Sequence, residues 1–181
     1  YELPEASRTA KGTAIVNLLQ LSQGEKVTAV MPVEDFNDDS LYVLMATSNG
    51  LIKKTKLAEY SNIRKTGIQA ITLKEDDELI DVRLTDGTND IIMVTREGLS
   101  IRFKEEEVRA VGRTSMGVKG IALGKEDKVV GMEPIKEDNG YVLAITENGF
   151  GKRTELEEYR CQGRAGKGVL TYKITSKTGN I

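Results

Sequence analysis

The 181-residue chain has no histidine, one cysteine (Cys161), three prolines and 5% aromatic residues. Without histidine there can be no Ser-His-Asp or Cys-His nucleophile system, no imidazole acid or base, and few of the usual zinc sites. A single cysteine excludes a disulfide framework and suits a reducing compartment. No apolar run approaches the roughly 18 residues of a membrane span, so the expectation is a cytoplasmic protein without a membrane partner. Scarce aromatics leave little to stack unpaired bases on, which favours duplex over single-stranded nucleic acid if nucleic acid is bound at all.

What the chain has in quantity is repetition. The stretch Tyr42 to Tyr60 (YVLMATSNGLIKKTKLAEY) recurs from Asp90 to Val108 (DIIMVTREGLSIRFKEEEV) and from Tyr141 to Tyr159 (YVLAITENGFGKRTELEEY). Each copy reads as a β-hairpin whose turn closes on Gly50, Gly98 or Gly149, where positive φ is needed. The return strand alternates, so one face is expected in the core and the other, with Lys54, Arg102 and Arg153, turned outward. Further strands are expected at Thr13–Leu19, after Gly67, Gly117 and Gly168, and at Val27–Val30, Leu79–Val82 and Val129–Met132. Four short strands in roughly 50 residues is the period of propeller-type blades. The expected fold is therefore all-β. Approximate blades span 7–60, 61–108 and 109–159, with partial units at 1–6 and 160–181, in a segment of a longer repeat array.

Charge follows the same period. The formal net charge is −2, yet the windows 8–12, 53–67, 102–119 and 152–168 are basic, while 25–39, 75–90 and 126–138 are acidic. A basic turn precedes each repeat glycine: Ser7–Gly12, Asn62–Gly67, Gly112–Gly117 and Gln162–Gly168. Such turns let backbone approach a partner, and their cations neutralise phosphates without reading bases. The candidate DNA-binding residues are Arg8, Lys11, Lys53, Lys54, Arg64, Lys65, Arg102, Lys104, Arg113, Lys119, Lys152, Arg153, Arg164 and Lys167. A propeller-like protein-interaction scaffold is the rival reading. Asp35–Asp39 begins like a calcium loop but has Ser40 and Ala46 where Gly and Glu belong. No catalytic constellation, metal site or cofactor site is expected.

Long runs, YELPEASR, IVNLLQL, GVKGIALGKEDKVVGM and ENGFGKRTELEEY, resemble the C-terminal domain of the DNA gyrase A subunit, and less closely that of topoisomerase IV. The resemblance implies a β-pinwheel of four-stranded antiparallel blades, with about three complete blades here and partial ones at each end. It implies a noncatalytic part of a bacterial, nucleoid-associated type IIA topoisomerase that introduces negative supercoils. Double-stranded DNA would be wrapped on a basic perimeter, with the rest of gyrase A and with gyrase B as its protein partners. The family's hallmark box, Gln-Arg-Arg-Gly-Gly-Lys-Gly, is matched at Gln162, Arg164, Gly166, Lys167 and Gly168 but not at Gly163 and Ala165. In the family's order that box lies before the YELPEASR segment, so residues 162–168 resemble a degenerate later copy.

Overall fold

A computed structural model describes residues 4–64, 66–137 and 139–181. Three equivalent hairpins form its frame: β1 (Tyr42–Thr47) with β2 (Leu51–Lys56), β4 (Asp90–Thr95) with β5 (Leu99–Lys104), and β8 (Tyr141–Ile145) with β9 (Gly151–Glu155). Gly50, Gly98 and Gly149 occupy the same turn position with φ of 82°, 86° and 80°. Each N–H closes the turn on the carbonyl of Thr47, Thr95 or Thr146, at 2.9–3.0 Å. Each return strand runs into a short 3-10 turn: Leu57–Tyr60, Glu105–Glu107 and Leu156–Glu158.

The sheets are completed by exchange between repeats. The first has the order β3-β1-β2-β6, where β3 (Leu79–Thr85) precedes the second hairpin and β6 (Val118–Lys119) precedes the third. The second has the order β10-β5-β4-β7, with β7 (Val129–Ile135) and β10 (Val169–Leu170) from the corresponding later segments. Both sheets are antiparallel, and both carry a register shift at the same place, Ala46/Thr47 and Val94/Thr95. One sheet thus draws strands from three successive repeats.

This exchange corrects the strand inventory. The described residues hold two four-stranded sheets and one two-stranded hairpin, not three complete blades. Thr13–Leu19 and Val27–Val30 form no strand, and only Ile15–Asn17 is regular, as a 3-10 turn. The counterparts of these segments pair with a hairpin that comes earlier in the chain, and residues 13–34 have no earlier hairpin among the described residues. β6 and β10 each pair with the hairpin before the immediately preceding one, and their counterparts, residues 68–73, have only one hairpin before them among the described residues.

Nor is one face of the first two hairpins left open. Leu44, Ala46 and Ile52 of the first sheet pack on Ile91, Met93, Ile101 and Phe103 of the second, with Val129 and Met132. The opposite face of β1, Val43 and Met45, is covered by Leu57 and Val82. The continuous apolar runs VLMA and IIMV are the signature of strands buried on both sides.

Gly117 and Gly168 let β6 and β10 close onto the preceding return strands. At Gly117 (φ 90°) an added Cβ would stand 2.4 Å from the Ile52 carbonyl oxygen, and at Gly168 (φ 80°) 2.2 Å from that of Ser100. Gly149 has similar φ but nothing within 4 Å. Gly149→Ala is expected to lose about 1 kcal/mol, the cost of the left-handed backbone, whereas Gly117→Ala and Gly168→Ala lose more than about 3 kcal/mol because backbone must also move. Urea denaturation of the three variants checks the order.

Candidate nucleic-acid interface

The basic turns stand side by side along one edge of the sheets. Arg113 Nη1 donates to the carbonyl of Gln69, two residues past the Asn62–Gly67 turn, at 2.6 Å. One repeat on, Arg164 Nη1 donates to the carbonyl of Lys119, two residues past the next turn, at 2.9 Å. The backbone repeats the pattern, with the Thr72 N–H donating to the Ser115 carbonyl at 3.4 Å and the Ala122 N–H to the Gly166 carbonyl at 2.8 Å, and the Thr72 hydroxyl adds a bond to the Thr114 carbonyl at 2.6 Å. Three turns therefore make one continuous row.

Sheet order separates this row from the acidic turns. The basic turns lead into β6 and β10 at one edge, and the acidic turns Glu75–Glu78 and Glu126–Lys128 lead into β3 and β7 at the other. Three strand spacings put these edges roughly 14 Å apart. The acidic turns are anchored at the hairpin tips. Asp77 Oδ1 accepts from the Asn49 N–H at 2.8 Å and Asp127 Oδ1 from the Glu97 N–H at 2.9 Å.

Exposed along the basic edge are Lys119 and Lys167, with Arg64 in the first turn of the row. Arg113 and Arg164 are half-buried. Arg8 and Lys11 are exposed in the first basic turn, and Lys65 lies outside the described residues. Arg109 and Arg160, absent from the sequence candidates, are exposed at matching places just before the second and third turns of the row. Their signal was positional. Each stands eleven residues after its hairpin glycine.

Of the row Lys54, Arg102, Arg153, only Arg153 is outward. Lys54 and Arg102 are 6% and 7% exposed and reach into the next hairpin. Lys54 Nζ donates to the Glu105 carbonyl at 3.1 Å and lies 3.7 Å from its carboxylate. Arg102 pairs with Asp90 at 2.7 Å and donates to the carbonyls of Leu156 at 3.2 Å and Tyr159 at 3.5 Å. Each thus clasps a 3-10 turn one repeat on. Arg153 is exposed and stacks over Tyr141 at 4.4 Å.

Lys53 is likewise buried, 1% exposed, where the sequence pattern offered it to DNA. Its ammonium donates to the carbonyls of Ala70, at 2.5 Å, and Arg113. Lys152, its counterpart, is exposed and donates to the Thr171 carbonyl at 3.1 Å. Lys104 is exposed but bonds Asp90 at 2.6 Å, and this contact raises its pKa. Burial alone would push the Asp90 carboxyl up, but hydrogen bonds from Lys104 and Arg102, and their charges, hold it below its ordinary value.

Known proteins share this architecture. The family model described as "DNA gyrase C-terminal domain, beta-propeller" matches residues 1–34, 41–86, 89–136 and 140–179. The chain belongs to that family. It is 49% identical over its full length to the DNA gyrase A protein of Buchnera aphidicola and 47% identical to that of Escherichia coli. It spans about a fifth of the length of these curated relatives, 21% and 20%. Among solved structures, the C-terminal domain of DNA topoisomerase IV superposes with a TM-score of 0.92 at 33% identity, over 99% of this chain and 55% of that one. The DNA gyrase A C-terminal domain gives 0.83 at 26% identity, over 94% and 57%. The β-pinwheel expectation holds.

Two expectations follow for the buried cations. Arg102→Ala leaves the buried Asp90 carboxylate with Lys104 as its cation and removes a donor from the Leu156 and Tyr159 carbonyls, and is expected to cost about 2 kcal/mol, read as a lower denaturation midpoint. At Lys53 the pKa is lowered to about 8, chiefly by burial, with the Glu59 charge opposing the shift and the Arg113 charge adding to it. Between pH 8 and the ordinary lysine range near 10.5, the unfolded chain holds a proton that the fold does not. Stability contributed by this group therefore rises with pH in that window and is least below pH 8. Lys53→Met is expected to flatten that rise, as measured by denaturation at pH 7.5 and 9.5.

Proposed function

We propose that the chain binds duplex DNA along its row of basic turns and bends it, as a noncatalytic segment of a type IIA topoisomerase. The supporting observation is the continuity of three interlocked basic turns on one edge, with the acidic turns at the other. Contacts of this kind recur once per repeat and meet phosphates through Lys119, Lys167, Arg109, Arg160, Arg64 and the free N–H groups of Arg113 and Arg164. Arg8, Lys11, Lys104, Lys152 and Arg153 are further exposed cations. Nothing in such a row reads base edges, so the affinity is sequence-nonspecific apart from DNA bendability. The names of the relatives fit a role within gyrase, where the rest of gyrase A and gyrase B would be partners and the bent segment would serve negative supercoiling in the bacterial cytoplasm. No cofactor is required for any of these contacts.

Binding to random-sequence duplex should weaken linearly with log salt, with a slope near −0.9 per neutralised phosphate. Replacing Lys119, Lys167, Arg109 and Arg160 together with Glu should lower affinity by more than roughly tenfold while leaving the sheets intact, since exposed substitutions usually cost within about 0.5 kcal/mol each. Glu34→Gln, Glu75→Gln and Glu126→Gln together should preserve or strengthen binding. Salt-insensitive affinity, or equal losses from both sets, would turn the reading toward a protein-interaction scaffold.

A further inference from the structure

Two carboxylates sit among the cations of the basic row. Glu59, in the 3-10 turn after β2, accepts the backbone N–H of Arg113 through Oε2 at 3.0 Å. Glu107, in the turn after β5, accepts the backbone N–H of Arg164 through Oε2 at 3.1 Å. Both stand nine residues after their hairpin glycines, and both reach across to the basic turn that follows the next hairpin. The Glu107 backbone joins the same arrangement, its carbonyl accepting Arg164 Nε at 3.0 Å. On a phosphate-facing surface an exposed carboxylate repels the ligand. Its recurrence there calls for a compensating role.

The second and third turns of the row are each held at two ends. The glutamate fixes the backbone at the arginine, and the arginine's guanidinium fixes the turn to the one before it, on the Gln69 or Lys119 carbonyl. A charge-assisted bond to a backbone N–H is roughly twice as strong as a neutral one. We infer that Glu59 and Glu107 are positioning residues of the DNA-binding row, holding each basic turn in the conformation that presents its lysines and free N–H groups to phosphates. This inference rests on the duplex-binding reading. It differs from simple electrostatics in sign, because removing a negative charge should by repulsion alone strengthen binding.

The test compares Glu59→Ala/Glu107→Ala with Glu59→Gln/Glu107→Gln in the full-length protein. Glutamine loses the charge but keeps an acceptor. Hydrogen exchange, read by mass spectrometry over peptides containing Arg113 and Arg164, should speed up about tenfold in the alanine pair. Protection over Ile91–Val94 should not change. Duplex affinity should fall roughly fivefold in the alanine pair and stay level or rise in the glutamine pair, as expected of a lost hydrogen bond and a removed repulsion. An alanine pair that binds as tightly as the glutamine pair, or that leaves exchange at both turns unchanged, overturns the inference. If the double alanine variant loses protection in β4, the Glu107→Ala single variant is read in its place by the same criteria. A wild-type protein without salt-dependent duplex binding defeats the parent reading and the DNA part of this one, while the exchange comparison still decides whether the carboxylates hold the turns.

Discussion

The hydrogen bonds on which this structure depends are those a hairpin obtains only from later parts of the chain. β1 and β2 close one ladder between themselves, and each then presents an outer edge whose N–H and C=O groups need partners. β3 fills the first edge and β6 the second, from successive repeats. A repeat therefore has no complete sheet of its own. The close approach of β6 and β10 explains the glycines at 117 and 168, and the same approach brings the basic turns against the return strands they flank.

Strand exchange also explains the fate of the cations. A lysine or arginine on a return strand lies where the next repeat will cover it, and its donors must then find acceptors. Lys54 finds Glu105, Arg102 finds Asp90 with the carbonyls of Leu156 and Tyr159, and Lys53 finds Ala70 and Arg113. Apart from Asp90, which belongs to the same hairpin as Arg102, these acceptors meet the donors only when neighbouring repeats sit in one rotational relation. The desolvation of each charge makes a large net gain in stability unsafe to assume. What the bonds do fix is geometry, since a slipped neighbour would leave a buried charge unpaired.

Much of this was legible in the sequence. The hairpins, their turn glycines and the in-phase basic turns could be read from residues alone, because the turn chemistry of Gly50, Gly98 and Gly149 is local. The partners of each strand could not. β6 follows Gly117 in sequence but pairs with Leu51 and Ile52, more than sixty residues earlier, and nothing in a local pattern specifies that pairing. The same gap misplaced Lys54 and Arg102. Alternation put Arg102 opposite the core residues Ile101 and Phe103, correctly, and Lys54 on the face of Ile52, but it could not tell a solvent face from a face covered by another repeat. The apolar runs VLMA and IIMV held that information, being too continuous for a half-exposed sheet.

A surface that bends DNA must be stiffer than the DNA it bends. Bending a site of 20–30 base pairs through 40–90° costs of order 1–6 kcal/mol by elastic estimates, and an unsupported turn held by flexible side chains would yield first. In this row two arginines serve as internal struts. Arg113 and Arg164 each bond a carbonyl of the preceding turn, and Thr72 and Ala122 add bonds between the same neighbours. Contact is left to residues such as Lys119 and Lys167, whose long, mobile chains follow a phosphate without a fixed direction. This division of labour suits a ligand that varies in sequence and shape. On the duplex-binding proposal, the guanidiniums of Arg113 and Arg164 hold the surface through fixed backbone carbonyls, and the exposed lysines and arginines around them are left for phosphates.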